Sequence, residues 1–308
     1  MNKWLGVVAA IVAPTTLITA LCYYFGAVST YAYFEYFGIG ASALGFTTQY
    51  YVLGSVAVLF PLLVVLPATV CIALWVVAYG RRALRTRLRS RHIRRAGWAV
   101  TATGIVLTAL SVWFISGVAS PEVNATLIPV ALGSGAVLVA VGTEVLTKVR
   151  SGDAPSYATS AELFTLLFSA ATLVLALFWG ANIYATAYGE ARAVEKAAGL
   201  WDTDNTVVLE TADPLAIPSN LVKATALGVD PTHRFRYRYE CLRTIAVQPD
   251  QWILVPARWT ITYGNAVIVP VDEYSRLNVV RRSLPVGVSP MDWNADGMRW
   301  PCPEVGPR

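Results

Sequence analysis

Long apolar segments dominate the first 188 residues of the chain. A window of about 20 residues, the length that crosses a hydrocarbon core of about 30 Å, picks out five of them. They cover residues 4–25, 52–79, 98–117, 127–146 and 163–183. The pattern therefore predicts a domain of five transmembrane helices over residues 1–188.

The pattern changes after residue 188. Residues 189–202 remain rich in helix formers but become charged, which predicts a short helical stalk. In THRFRYRYEC, Phe235 to Cys241, apolar residues alternate with charged ones at the period of two that is typical of a β-strand. Further strands are predicted in NTVVLET, LVKATALGV, LRTIAVQ, QWILVP, ARWTITY and AVIVPVD. Residues 203–308 are thus expected to form an antiparallel β domain, a barrel or a sandwich, with an irregular tail rich in proline and tryptophan.

Composition agrees with a membrane protein. The mean hydropathy is +0.52 and only 14% of the residues are charged, whereas about a quarter are charged in ordinary soluble domains. Arginine outnumbers lysine, and alanine and valine are abundant, a composition typical of a GC-rich bacterial genome. We expect a bacterial protein of the plasma membrane.

The distribution of arginine predicts the orientation. The loop expected between the second and third spans carries eight arginines, while the loops on the other side carry only Glu35 and Glu122. Basic loops stay in the cytoplasm, so the N-terminus is predicted inside and the β domain outside. The eight arginines are predicted to contact anionic inner-leaflet lipid rather than nucleic acid, because no aromatic residues interleave with them to stack on bases. They are Arg81, Arg82, Arg85, Arg87, Arg89, Arg91, Arg94 and Arg95.

An aromatic segment, Tyr31 to Tyr51, joins the first two spans on the predicted outer side. It contains eight aromatic residues and three glycines. Aromatic rings favour headgroup depth, so an interfacial belt is one interpretation. A re-entrant loop that lines a pore is the other, because irregular backbone is tolerated at membrane depth where it lines a cavity.

Ionisable residues are nearly absent from the predicted spans; Glu144 and Lys148 lie only at the inner end of the fourth. Buried charges mark many transporters and intramembrane enzymes. Small residues spaced by four, such as Ala131 and Gly135, favour close helix packing, either within the chain or between copies. We expect a homo-oligomer.

The exterior region holds the candidate chemistry. Cys241 and Cys302 are predicted to form a disulfide, since disulfides persist outside the cytoplasm. The DWNADG segment has the spacing that opens an EF-hand calcium loop, but the match is partial, and a polar turn, which favours the same residue types, is the preferred interpretation. An arginine row, Arg234, Arg236 and Arg238, would either receive an anion or pair with nearby acids. The calcium ligands would be Asp292, Asn294, Asp296, Met298 and Glu304.

Enzymatic motifs are missing from the sequence. It contains two histidines and no Cys-x-x-Cys pair, His-Glu-x-x-His motif, phosphate loop or nucleophile elbow. We expect no catalytic residues and no cofactor other than calcium. The predicted function is a non-enzymatic, oligomeric channel or pore-like body. Its exterior β domain would gate the channel or bind a ligand. The alternative is a membrane sensor or envelope scaffold whose exterior domain binds a partner and whose arginine-rich loop contacts anionic lipid.

Overall fold

The computed structural model contains five helices followed by an antiparallel sheet. It describes residues 2–40, 44–87, 90–115, 121–151, 160–201, 204–217, 220–228, 234–280 and residue 302. The helices are α1 (Asn2–Tyr36), α2 (Thr48–Arg87), α3 (Ser90–Ile115), α4 (Pro121–Ser151) and α5 (Ser160–Gly199). The strands are β1 (Thr206–Thr211), β2 (Lys223–Ala226), β3 (Tyr237–Val247), β4 (Gln251–Pro256), β5 (Val267–Pro270) and β6 (Ser275–Val280).

Four helices in the described part of the chain are long and apolar enough to cross a membrane. Their apolar windows are Thr15–Tyr36, Arg94–Ile115, Leu127–Thr147 and Ser160–Gly199. The second predicted span, residues 52–79, lies within α2, whose side chains are described only in part. The fold therefore combines helices of which four, in the described residues, could cross a membrane with a C-terminal antiparallel sheet.

The helices extend well beyond the predicted spans. The arginine-rich stretch expected as a loop is largely helical, since α2 continues to Arg87 and α3 begins at Ser90. Helix α1 likewise continues to Tyr36, so the first part of the aromatic segment is helical as well. The predicted stalk is the last part of α5, which runs to Gly199 without interruption. Hydropathy marks where lipid ends, whereas a helix with good helix formers can continue into water.

The chain divides into two compact units. The first contains Met1–Ser29 and Thr47–Ala187, and the second contains Thr30–Phe46 and Tyr188–Arg308. The second unit thus includes the ends of α1 and α5 and most of the aromatic segment, in addition to the sheet. The predicted boundary at residue 203 did not anticipate this contribution from the N-terminal half.

In the first unit, α3 and α4 pack with their backbones in contact. A Cβ atom added to Gly104 would lie 2.8 Å from the Gly135 carbonyl oxygen, and one added to Gly135 would lie 3.0 Å from the Gly104 carbonyl oxygen. One added to Gly142 would meet Thr101 in the same way. Small residues permit such contact between helices in lipid. Gly135, one of the predicted small residues, is thus used for packing within the chain.

Substitution of Gly104 by alanine is expected to destabilise the helical unit by about 1–3 kcal/mol, because the added methyl group meets backbone atoms that cannot rotate away. The thermal midpoint of the full chain in detergent measures this. Gly180→Ala in α5 is the matched control, since its Cβ would have no atom within 4 Å. Equal midpoints for the two variants would contradict the close α3–α4 contact.

The six strands form one antiparallel sheet in the order β5-β4-β3-β1-β6, and β2 also pairs with β3. The first half of β3 lies between β1 and β2, and its second half pairs with β4. The edge strands β5 and β6 are joined by four residues, where the Ser275 hydroxyl donates to the Pro270 carbonyl (3.0 Å). The sheet must therefore curl until its two edges meet at this corner.

Three of the predicted strands differ from the structure. THRFRYRYEC and LRTIAVQ contribute to a single strand, β3. ARWTITY is not a strand: the Trp259 amide donates to the Pro256 carbonyl (3.0 Å) and the Tyr263 amide to Thr260 (3.3 Å), so the chain turns. The alternating apolar residues of this segment do not form a buried face, because Ile261 and Tyr263 are exposed.

Candidate functional site

The aromatic segment begins as the end of α1 and stops in a glycine C-cap. Gly38 has a φ of 74°. Its amide donates to the Glu35 carbonyl (2.9 Å), and the Ile39 amide donates to the Phe34 carbonyl (3.0 Å). These are the two hydrogen bonds of a Schellman motif, which needs the left-handed conformation that glycine adopts without a steric penalty.

Substitution of Gly38 by alanine is expected to destabilise the second unit by about 1 kcal/mol, the cost of a left-handed L-residue. Gly40→Ala is the matched control, since both positions have open space around a Cβ and only Gly38 has a positive φ. Native-state hydrogen exchange of α1 residues 33–36 reports the difference. An equal exchange rate in the two variants would show that this cap does not depend on glycine.

Beyond the cap, the aromatic segment packs against the sheet in one hydrophobic core. Phe34 is fully buried, and Phe37 and Leu44 are nearly so. They share this core with Ile253 and Val255 of β4, and the Gln251 side-chain amide donates to the Leu44 carbonyl (2.7 Å). The interfacial-belt interpretation is therefore wrong for these rings: they form a protein core.

Strand β4 is buried on both faces. Ile253 and Val255 face the core with the aromatic segment, while Leu254 belongs to a second core inside the sheet together with Leu209 and Leu242. A strand that is buried on both faces has a continuous run of apolar residues in its sequence. The run in QWILVP is of this kind. β4 thus joins the interior of the sheet to the end of α1.

The end of α5 enters the same core and is held by a group of polar contacts, which we call the α5 clamp. Arg243 of β3 is fully buried. Its Nε donates to the Leu200 carbonyl (2.6 Å), just past the helix end, and its Nη1 donates to the Leu242 carbonyl (3.1 Å). A cation at a helix C-terminus satisfies carbonyls that lack helical partners and opposes the negative end of the helix dipole.

Further contacts support the clamp from other elements. Lys196 forms an ion pair with Asp204 (2.6 Å), and the Asp204 amide donates to the Gly199 carbonyl (3.2 Å). The Arg258 guanidinium lies 4.5 Å from the centre of the Trp201 ring. The α5 end is therefore connected to β3, to the turn after β4 and to the segment before β1.

The predicted disulfide is present beside the clamp. Cys241 and Cys302 have their sulfur atoms at bonding distance and their Cα atoms 5.3 Å apart. They share a small cluster with Ala257 and Trp201. Cys241 lies at a register shift between β1 and β3 and has a φ of 70°, the conformation of a bulge position that usually takes glycine. The bond attaches the tail to this strained point of β3.

Two of the three arginines in the predicted row pair with acids. Arg234 contacts Glu273 (2.8 Å), and Arg238 contacts Glu210 (2.8 Å), whose carboxylate is almost completely buried. The hydrogen bonds from Arg234 and Tyr274, with the Arg234 charge, hold the pKa of the Glu273 carboxyl below its usual value. The pairing favours the interpretation of the row as a sheet face with compensating acids over that of an anion site.

Within the helical unit, α3, α4 and α5 enclose a groove of about 890 Å³. All three helices contribute residues to its lining. None of the described residues that line it is charged, and the polar ones carry only hydroxyl groups. Phe164 and Phe168 of α5 stand along one wall with most of their surface exposed.

A second hydroxyl-bearing surface runs along α1. Thr15, Thr16, Thr19 and Tyr23 line a smaller open groove of about 410 Å³. All four are exposed in the monomer. Farther along α1, Tyr24 donates from its hydroxyl to the side-chain oxygen of Asn182 in α5 (3.1 Å).

Two groups of predicted site residues lie wholly or partly outside the part of the chain that the structure describes. The calcium candidates Asp292, Asn294, Asp296, Met298 and Glu304 lie outside the described residues. Of the eight predicted lipid-binding arginines, the structure describes the side chains of Arg94 and Arg95, both exposed. In the described ranges, no group of three or more metal-ligating side chains lies together. The calcium and lipid sites remain predictions.

Sequence reasoning missed Arg243 entirely. In LRTIAVQ it is a lone charge inside an apolar strand run, and charged residues are almost never fully buried without a partner. Its position between apolar residues could have predicted that this arginine is buried and holds part of the fold together.

Searches against known proteins identify no relative: no protein-family model, curated protein or solved structure matches the chain.

Proposed function

We propose that the chain is a non-enzymatic integral protein of a bacterial plasma membrane, with its N-terminus in the cytoplasm and its β domain outside. The β domain binds a ligand or a protein partner, and the bound state acts on α1 and α5. This is a sensor or scaffold, and it is the function that the geometry supports best.

One observation carries the proposal. A single hydrophobic core contains Phe34 and Phe37 from the α1 end, Ala193 and Leu200 from the α5 end, and Ile253 of β4. Arg192 of α5 also lies over the Tyr33 ring of α1, 5.5 Å from its centre. Close-packed cores do not deform continuously, so a change at the sheet is passed to whatever shares its core. Here those elements are the ends of two apolar helices.

Hydrogen exchange of the full chain in lipid nanodiscs tests this coupling. Substitution of Phe37 by alanine should raise exchange together in three segments: residues 30–36, 188–199 and 251–256. Tyr31→Ala, which removes an exposed ring from the same helix, should leave the latter two unchanged. If Phe37→Ala raises exchange only in residues 30–36, the helix ends and the sheet open separately and the coupling is refuted.

The hydroxyl surface of α1 favours a second candidate, an oligomeric channel. In a ring of copies, Thr15, Thr19 and Tyr23 would face the axis and replace part of an ion's hydration shell. Purified protein in planar bilayers should then conduct, and Thr19→Val should lower the unitary conductance relative to Leu17→Val, a change at an exposed position on the opposite side of α1. Silent bilayers containing correctly inserted oligomers would exclude the channel.

A further inference from the structure

Most of the hydroxyl groups that line the groove between α3, α4 and α5 already donate their hydrogen within their own helix. They are therefore not available as donors to a polar ligand. Thr101, Thr108, Thr143, Thr165 and Thr172 each donate to the carbonyl four residues earlier in their own helix, at 2.8–3.0 Å. They present methyl groups and acceptor lone pairs to the groove. Its remaining surface is mostly aliphatic and aromatic. The lining therefore matches an uncharged hydrocarbon chain.

The groove has a defined direction. Thr101 at one end lies opposite Gly142, and Thr108 farther along lies opposite Gly135, as expected for antiparallel α3 and α4. The end of the groove at Thr101 therefore lies nearest the first turns of α3, the last turns of α4 and the first turns of α5.

Basic residues gather at that end. Arg94 and Arg95 are exposed in the first turns of α3, and Arg95 precedes Thr101 by six residues, about 9 Å along the helix. Lys148 and Arg150 are in the final turns of α4. Two acids, Glu144 and Glu162, belong to the same ends of α4 and α5, so basic residues outnumber acidic ones there.

We propose that this groove binds an anionic phospholipid, with an acyl chain between α3 and α5 and the phosphate at Arg94 and Arg95. The apolar channel accounts for the chain and the basic residues account for the headgroup. The basic residues and the apolar groove follow one another along α3, as the headgroup and the acyl chain follow one another in a lipid. The site is independent of what the β domain binds.

Native mass spectrometry of the full chain in neutral detergent tests the headgroup. Phosphatidylglycerol and phosphatidylcholine with identical acyl chains are supplied in equal amounts. Wild-type protein should retain more phosphatidylglycerol. The preference should fall about fivefold for each of Arg94→Gln and Arg95→Gln, since one basic residue near an anionic headgroup contributes about 1 kcal/mol. An unchanged preference in the double variant would overturn the headgroup assignment.

A matched pair of variants tests the chain. Ala109 is exposed and lines the groove, whereas Ala102 is exposed on the same helix and does not. Ala109→Phe should lower retention of both lipids severalfold, and Ala102→Phe should not. Equal retention by the two variants would place the acyl chain elsewhere.

Photo-crosslinking needs no variant and so is unaffected by misfolding. A phosphatidylglycerol with a diazirine in its acyl chain should label wild-type residues 105–112 and 164–172 in preference to the exposed α5 residues Val174, Leu175, Leu177 and Phe178. Uniform labelling along the exposed helix faces would mean that the groove holds only bulk lipid and would refute the site.

Discussion

Replacement of Cys302 by serine is expected to lower the free energy of unfolding of the β domain by about 4 kcal/mol. The bond closes a loop with a sequence separation of 61 residues, and the cross-link removes that closure entropy from the unfolded state. The loss should be seen as faster native-state hydrogen exchange across β3 and β4 in the full chain under oxidising conditions.

Two comparisons separate the bond from other effects. Cys71→Ser removes a free thiol from α2 and should leave exchange in the sheet unchanged. With the bond absent, Cys241→Gly should be about 1 kcal/mol more stable than Cys241→Ser, because glycine adopts the positive φ of this position freely. A wild-type exchange pattern in Cys302→Ser would show that the tail attachment contributes nothing to the sheet.

Substitution of Arg243 by alanine is expected to destabilise the second unit by about 3–5 kcal/mol. The change leaves a cavity in a fully buried site and deprives the Leu200 carbonyl of its charged donor. Since that carbonyl follows the end of α5, exchange should increase at residues 196–200 as well as in β3.

Two controls locate the effect. Arg236→Ala removes an exposed arginine just before the same strand and should change stability by less than about 0.5 kcal/mol. Arg243→Met retains most of the volume without the hydrogen bonds, so its loss should be smaller than that of alanine. If Arg243→Met is as stable as wild type and residues 196–200 stay protected, the guanidinium is not what holds α5.

Hydropathy predicted the helical part of the fold because lipid imposes a simple constraint: a span must be about 20 apolar residues long. The Cys241–Cys302 pair was also predictable, since both cysteines follow the last span. Periodicity was less reliable in the sheet. QWILVP became a strand because both of its faces are buried, whereas the alternation of ARWTITY is interrupted by a turn that places Trp259 in a core and Ile261 in solvent.

The use of the aromatic segment could not be predicted, because it depends on a contact between distant parts of the chain. The rings of Phe34 and Phe37 would be stable at a membrane surface or in a protein core, and composition does not distinguish these environments. Only β4, more than 200 residues later, decides between them. Arg243 is a similar case, since its principal acceptor, Leu200, lies 43 residues earlier on a different element.

The most direct test of the account concerns which side of the membrane holds the β domain. A phosphatase that folds only outside the cytoplasm, fused after Arg308 of the full chain, should be active. The same reporter inserted at Arg89, between α2 and α3, should be inactive, because the surrounding arginines are retained in the cytoplasm. Activity at Arg89 with an inactive fusion at Arg308 would place the β domain inside and contradict the proposed exterior sensor.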